Sequence, residues 1–337
     1  MSHSAESLFD PAHAGATYQG GERVAEVTRS GVVESVHLGS VAVVGRDGTV
    51  LASTGDTTTP IFPRSALKPV FAVGLLKAGW APDSDADVAL AAASHCGDAE
   101  HVTRVMSVLQ GAGLTESALQ CPADLPYGTS ARESLLAGGG TASARFMTCS
   151  GKHAAMLATC VANGWDVGTY RDPDHPLQLW LSGTVARMTG DREPRAGMDG
   201  CGVPTFAVSL RGLARAAASL VDAEEGTPER RVADAIRAHP HLVGGEDRSD
   251  THVMESVPGL LAKFGAEGVQ LLAFPDRGAV AVKIDDGAIR AALPVAIGAF
   301  TAGVGLPVGE GREETFDELR LPPVWGGGVK VGTVRPA

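Results

Sequence analysis

Apolar residues recur along this chain at two distinct periods. Residues 40–44 and 49–53 read as short β-prone runs, and Arg46-Asp47-Gly48 between them is the kind of turn that joins a hairpin. After Pro63 the period lengthens. Leu67, Val70, Phe71 and Leu75 return at three and four residues, which predicts a helix that Gly79 closes and that carries Ser65 and Lys68 in its first turn. Helices are also predicted over residues 102–109, over 154–161 ahead of Gly164, and over 177–188 between Pro176 and Gly190. Two more follow over 206–220 and over 229–236 behind Thr227-Pro228. Strand character returns at 269–274 and 279–284, Asp285-Asp286-Gly287 turns the chain into a helical stretch from about Ala291, and a closing strand is expected over 328–334. Strands at both ends around a helical middle predict an α/β (α+β) fold: a mainly antiparallel sheet, its first and last strands meeting, flanked by helices. Residues 22–337 read as one unit and the polar stretch 1–21 as a flexible tail.

A length of 337 residues with 44% hydrophobic side chains allows a sizeable core. The net charge of −11, without a basic cluster, argues against a nucleic-acid or anionic-membrane surface and for a small-molecule substrate. The N-terminus has no basic patch followed by an apolar run, so a cytoplasmic protein is expected. The longest uncharged stretch, 291–308, is broken by Pro294 and Pro307 and reads as a buried helix with a loop, not a membrane span. Five widely spaced cysteines predict free thiols or metal ligands, with Cys160 a small buried hydrophobe.

Four segments carry groups that apolar packing does not need. Arg64-Ser65-Ala66-Leu67-Lys68 sets a hydroxyl and an amine on one helical face, where a desolvated Lys is able to activate a Ser; a surface Lys behind a capping Ser has the same spacing. Ser94-His95-Cys96-Gly97-Asp98 ends an Ala-rich helix in a polar cluster, and reads equally as a turn with Asp98 capping the next helix. Lys283 is a lone charge in an apolar strand, either facing solvent or facing the Ser-x-x-Lys helix beside a second serine. Cys149-Ser150-Gly151-Lys152-His153 and Gly197-Met198-Asp199-Gly200-Cys201-Gly202 place two thiols at helix starts, where a metal would need a third ligand, Lys152 or His153.

Together these segments resemble the zinc-binding L-asparaginases of the rhizobial inducible type, from residues 24–37 through the four segments to Lys283-Ile284-Asp285-Asp286-Gly287. The resemblance implies a serine β-lactamase/glutaminase-like fold, a homodimer, and hydrolysis of L-asparagine to aspartate and ammonia. It implies a Ser65–Lys68 tandem with Ser65 the nucleophile, a second tandem Ser94–Lys283, substrate contacts from Arg64 and Asp199, and zinc held by Cys149, Lys152 and Cys201. The family motif usually ends in Glu where Asp98 stands, so Cys96 and Asp98 take no role from it. Another acyl-serine hydrolase, acting on glutamine or a β-lactam, and a non-catalytic zinc- or amino-acid-binding protein are the rival readings.

Overall fold

The computed structural model describes residues 17–337, and the expected tail lies mostly outside them. Ten strands and twelve α-helices form a mixed α/β architecture in these residues. The strands are β1 (Glu22–Arg29), β2 (Val32–Val44), β3 (Val50–Thr54), β4 (Ala196–Met198), β5 (Pro204–Phe206), β6 (Leu261–Gly265), β7 (Val269–Phe274), β8 (Gly278–Ile284), β9 (Pro323–Gly326) and β10 (Val329–Pro336).

The main sheet runs β6-β7-β8-β2-β1-β10-β9, with β3 paired to β2. Every pair in it is antiparallel, and the first and last strands do meet, Ala25 opposite Pro336 and Val27 opposite Val334. β2 is long enough to pair β1 along its first half and β8 along its second, so the sheet curls. Helices Leu210–Val221 and Ile289–Val304 pack on it. Pro294 lies inside the second of these, and no helix among the described residues is long and apolar enough to cross a membrane.

Most of the other helices pack on one another, among them Lys68–Lys77 on Pro176–Thr189 and Ala99–Gly111 on Ser150–Asn163. Glycines close them where expected, Gly164 and Gly190 both at positive φ of 65° and 73°. One boundary departs from expectation: Phe206 ends β5, and the helix starts at Leu210 behind Ser209, whose side chain accepts from Gly212 N at 3.1 Å. A Ser cap sets the start more strongly than an apolar residue in phase. Residues 17–21 run along the sheet, with the Tyr18 hydroxyl donating to Asp285 Oδ1 at 2.6 Å and Gly21 N to Asp285 Oδ2 at 2.8 Å.

β6 is the edge strand that meets the Arg64–Leu67 turn, and Gly265 makes the meeting close. A Cβ at Gly265 would stand 2.1 Å from the Pro63 carbonyl oxygen and 3.2 Å from Ala66 N, both main-chain atoms. Gly265→Ala must therefore push β6 and the Ser65 segment apart. Calorimetry of this variant is expected to show a melting temperature lower by about 3 °C or more, the overpacking cost of a methyl against fixed backbone. A variant that melts with the wild type would show the contact to be loose.

Candidate functional site

Residues Arg64–Leu67 form a single 3₁₀ turn that runs straight into helix Lys68–Lys77, with Pro69 in its first turn. Arg64 sits at φ 54°, in the left-handed region, a strain of about 1–3 kcal/mol for a residue with a Cβ. The turn leaves Ser65 half-buried and Lys68 fully buried. Lys68 Nζ donates to the Ala93 carbonyl at 2.5 Å and to Ser94 Oγ at 2.9 Å. Ser94 is itself anchored through its main chain, its N–H donating to the Val243 carbonyl at 2.9 Å.

Lys283 does not come to this pair. Its Nζ donates to the carbonyls of Glu267 and Ile284 at 2.8 and 2.5 Å, and the charges around it are Asp285, Glu267 and Asp286. Burial pushes its amine down and these carboxylates pull it back. The expected Ser94–Lys283 tandem is therefore corrected: the amine bonded to Ser94 is Lys68.

The lysine that joins the cluster is Lys263, on β6. Its side chain is completely buried, with Nζ 3.7 Å from Asp250 Oδ2 and 3.1 Å from the Phe264 carbonyl. Burial pushes its amine down, Asp250 pulls it up, and Lys68 and Arg248 push it down again, to about 7. Asp250 is fixed by bonds from Phe264 N at 2.7 Å and Gln270 Nε2 at 3.1 Å. Arg248 lies between the rings of Tyr127 and Phe264, 4.3 and 4.4 Å from their centroids, and closes this side of the site. Lys263 carries the same signal that singled out Lys283, one charge inside an apolar run, here only five residues long.

Two thiols lie next to this group. Cys149 ends the loop ahead of helix Ser150–Asn163, and Cys201 follows Asp199 in a turn closed by Gly202 N donating to the Asp199 carbonyl at 2.8 Å. Lys152 Nζ is 3.1 Å from Cys201 Sγ and 3.9 Å from Asp199 Oδ2. The hydrogen bond from Cys149, and then the Lys152 charge, hold the Cys201 thiol down at about 5 against burial. The same bond, with burial, pushes Cys149 up to about 12, while Cys201 and Cys149 hold the Lys152 ammonium charged despite burial. The result is a buried lysine against a thiol that favours ionisation, with a second thiol beside it.

Asp199 ties this group to Ser65. It forms an ion pair with Arg64 Nε, accepts from Gly200 N at 2.9 Å, and lies 3.7 Å from Cys201 Sγ. Burial raises its carboxyl, but Lys152 and then Arg64 hold it below the usual range. His153 turns elsewhere, with Nδ1 2.6 Å from the Tyr170 hydroxyl, and burial pushes its imidazole down to about 3. Cys149, Lys152 and Cys201 are thus buried in one neighbourhood, and thiol sulfurs as donors suit a soft or borderline cation. A separate group, Cys96, Asp98 and His101, also brings three metal-type donor atoms within 4.8 Å of one another.

A family model described as L-asparaginase II matches residues 25–336. No curated protein matches the chain. Among solved structures, a β-lactamase from Mycobacterium bovis is 16% identical over 84% of this chain and 95% of its own, with a TM-score of 0.38. The protein Mglu is 15% identical over 83% of this chain and 66% of its own, with a TM-score of 0.33.

Proposed function

Because the chain belongs to the L-asparaginase II family, we propose that it hydrolyses the side-chain amide of L-asparagine to aspartate and ammonia through a Ser–Lys acyl-enzyme. The observation that carries this reading is the buried Lys68 side chain with its Nζ 2.9 Å from Ser94 Oγ, one helical turn after the half-buried Ser65. A binding protein has no use for two hydroxyls interleaved with two buried amines, one of them poised near neutrality.

Ser65 is the nucleophile, since of the two serines it is the one a substrate is able to reach. Its Oγ attacks the side-chain amide carbon while its proton passes to the amines of Lys68 and Lys263. The C–N bond then breaks, and the nitrogen leaves as ammonia after taking a proton relayed from Lys68 through Ser94 Oγ. Water, deprotonated by the same amines, opens the β-aspartyl ester and returns Ser65 to its starting state. Asp199 and Arg64 present opposite charges for the α-ammonium and α-carboxylate of an amino acid. Their mutual ion pair pre-forms that subsite.

Cys149, Lys152 and Cys201 would hold zinc. Lys152 Nζ lies 3.1 Å from Cys201 Sγ, and to serve as a ligand that nitrogen would have to be unprotonated. When bound, the ion supplies a fixed positive charge beside Asp199 that orients the substrate subsite. Five buried cysteines, none of them in a disulfide, support a reducing, cytoplasmic setting. Exposed apolar residues on the curled sheet, Val32 on β2 with Trp325 and Val329 on β9 and β10, support a homodimer.

Ammonia release from asparagine by the wild type, Ser65→Ala and Ser94→Ala, with zinc measured on the same samples, tests the reading. Ser65→Ala is expected to leave no turnover and an unchanged metal content, whereas Ser94→Ala keeps a slow residual rate. Turnover surviving in Ser65→Ala and lost in Ser94→Ala would move the nucleophile to Ser94. A wild type active on glutamine or a β-lactam but inert on asparagine would replace the substrate.

A further inference from the structure

The turn that carries Ser94 goes on to build a cluster on the other side of its backbone. Cys96 Sγ lies 3.5 Å from Asp98 Oδ2 and 3.8 Å from His101 Nδ1, and that nitrogen is 2.7 Å from Asp98 Oδ1. The thiol and the imidazole are buried. Asp98 cannot swing freely, because it caps helix Ala99–Gly111 through Oδ1, which accepts from His101 N at 3.0 Å. Its Oδ2 is left to Cys96 and to His241 Nε2 at 2.9 Å.

The histidine's hydrogen bonds define which nitrogen is available. His101 Nε2 is 3.1 Å from the main-chain carbonyl of His241. A carbonyl only accepts, so Nε2 carries a hydrogen and Nδ1 is the nitrogen turned to the thiol and the carboxylate. A carboxylate also only accepts. The ring therefore meets acceptors at both ends, and either a second proton or a cation has to stand between Nδ1 and Asp98. A carbonyl behind the distal N–H is the support that metal-bound imidazoles use.

The two edges from sulfur suit a metal ion. Tetrahedral zinc with bonds of about 2.3 Å to sulfur and about 2.0–2.1 Å to nitrogen and oxygen sets sulfur about 3.5 Å from each lighter donor. The structure has 3.5 and 3.8 Å on those edges. Gly245, at φ 121°, covers the thiol; a Cβ there would stand 2.3 Å from Cys96 Sγ. Access is from a cavity of about 580 Å³ that Cys96 and Asp98 share with Glu246 and Asp247. Those two carboxylates make the approach attractive to a cation.

We propose that Cys96, Asp98 and His101 bind a divalent transition-metal ion of the zinc class, at a site separate from Cys149, Lys152 and Cys201. Binding replaces the thiol proton and any proton on Nδ1, releases them to solvent, and leaves a fourth position open to the cavity. The ion clamps the turn that presents Ser94 to Lys68. Nothing in this assignment depends on the asparaginase reading or on zinc at the other thiols.

The test uses the full chain, stripped with a chelator and titrated with Zn²⁺ or Co²⁺ alone. Cys96→Ser and His101→Gln are each expected to bind one equivalent less than the wild type, and to lose a share of the near-ultraviolet thiolate-to-cobalt absorption. The double variant Cys149→Ser/Cys201→Ser is expected to keep one equivalent and its thiolate–cobalt band, a retained signal that does not depend on how the Cys96 variant folds. Equal metal content in the wild type and both single variants, or a double variant with no thiolate–cobalt band, overturns the proposal. Failure of zinc at Cys149 and Cys201 alone would read differently: the double variant would then match the wild type.

Discussion

Replacing Lys68 by Met is expected to lower kcat for asparagine by about 10²- to 10⁴-fold, the range over which a positioned proton acceptor acts. Met has the length and apolar stem to fill the buried channel that Lys68 occupies, so packing survives. Two acceptors are left without their donor, the Ala93 carbonyl and Ser94 Oγ. Leaving such groups unsatisfied costs about 1–3 kcal/mol of stability, which a melting curve would register as a small drop and not as a loss of fold. The kinetic signature separates chemistry from binding. Arg64 and Asp199 are untouched by the change, so KM should move little while kcat collapses. A Lys68→Met enzyme within tenfold of the wild-type kcat would remove Lys68 from the proton path. A loss confined to KM would make it a substrate-binding charge instead.

What the sequence discloses about this site depends on how local each signal is. The Ser65–Lys68 spacing lies within one turn, and of the two it is Lys68 whose amine reaches Ser94. Lys152 meets Cys201 and Asp199 because Cys149 and Lys152 stand at the start of one helix and Asp199 and Cys201 in the glycine-bearing turn between β4 and β5, and both segments are legible. Asp98 as a helix cap was equally visible, as were the glycine stops. The second lysine was not. Lys283 and Lys263 are each one charge within an apolar strand, and alternation gives no means of choosing between them. The choice is made by sheet order: β6 lies at the edge against the Arg64–Leu67 turn, whereas β8 is interior, and its Lys283 points to the β6–β7 turn at Glu267. Strand order is a long-range property, set by which edges the helices cover. The same reason hides His241, whose carbonyl orients His101 from 140 positions along the chain.

The pH dependence is expected to follow from Lys263 and to move when Asp250 is changed. With its amine brought down to about 7, Lys263 is mostly an ammonium below neutrality and mostly a free amine above it. A base works only in the free form, so kcat/KM for asparagine should fall on the acid side, with a limb near pH 7. Asp250 raises that pKa by stabilising the charged form. Asp250→Asn removes the negative charge but keeps the shape, and its oxygen is still able to accept from Phe264 N, with Gln270 turning its amide to meet the new NH₂. The free amine then persists to lower pH, and the acid limb should shift downward by about one pH unit. Lys263→Met should abolish the limb together with about 10²-fold or more of kcat. An acid limb that stays in place in Asp250→Asn would assign it to another group. If Lys263→Met also kept the wild-type limb, the β6 lysine would be a structural charge and Lys68 would have to act without it.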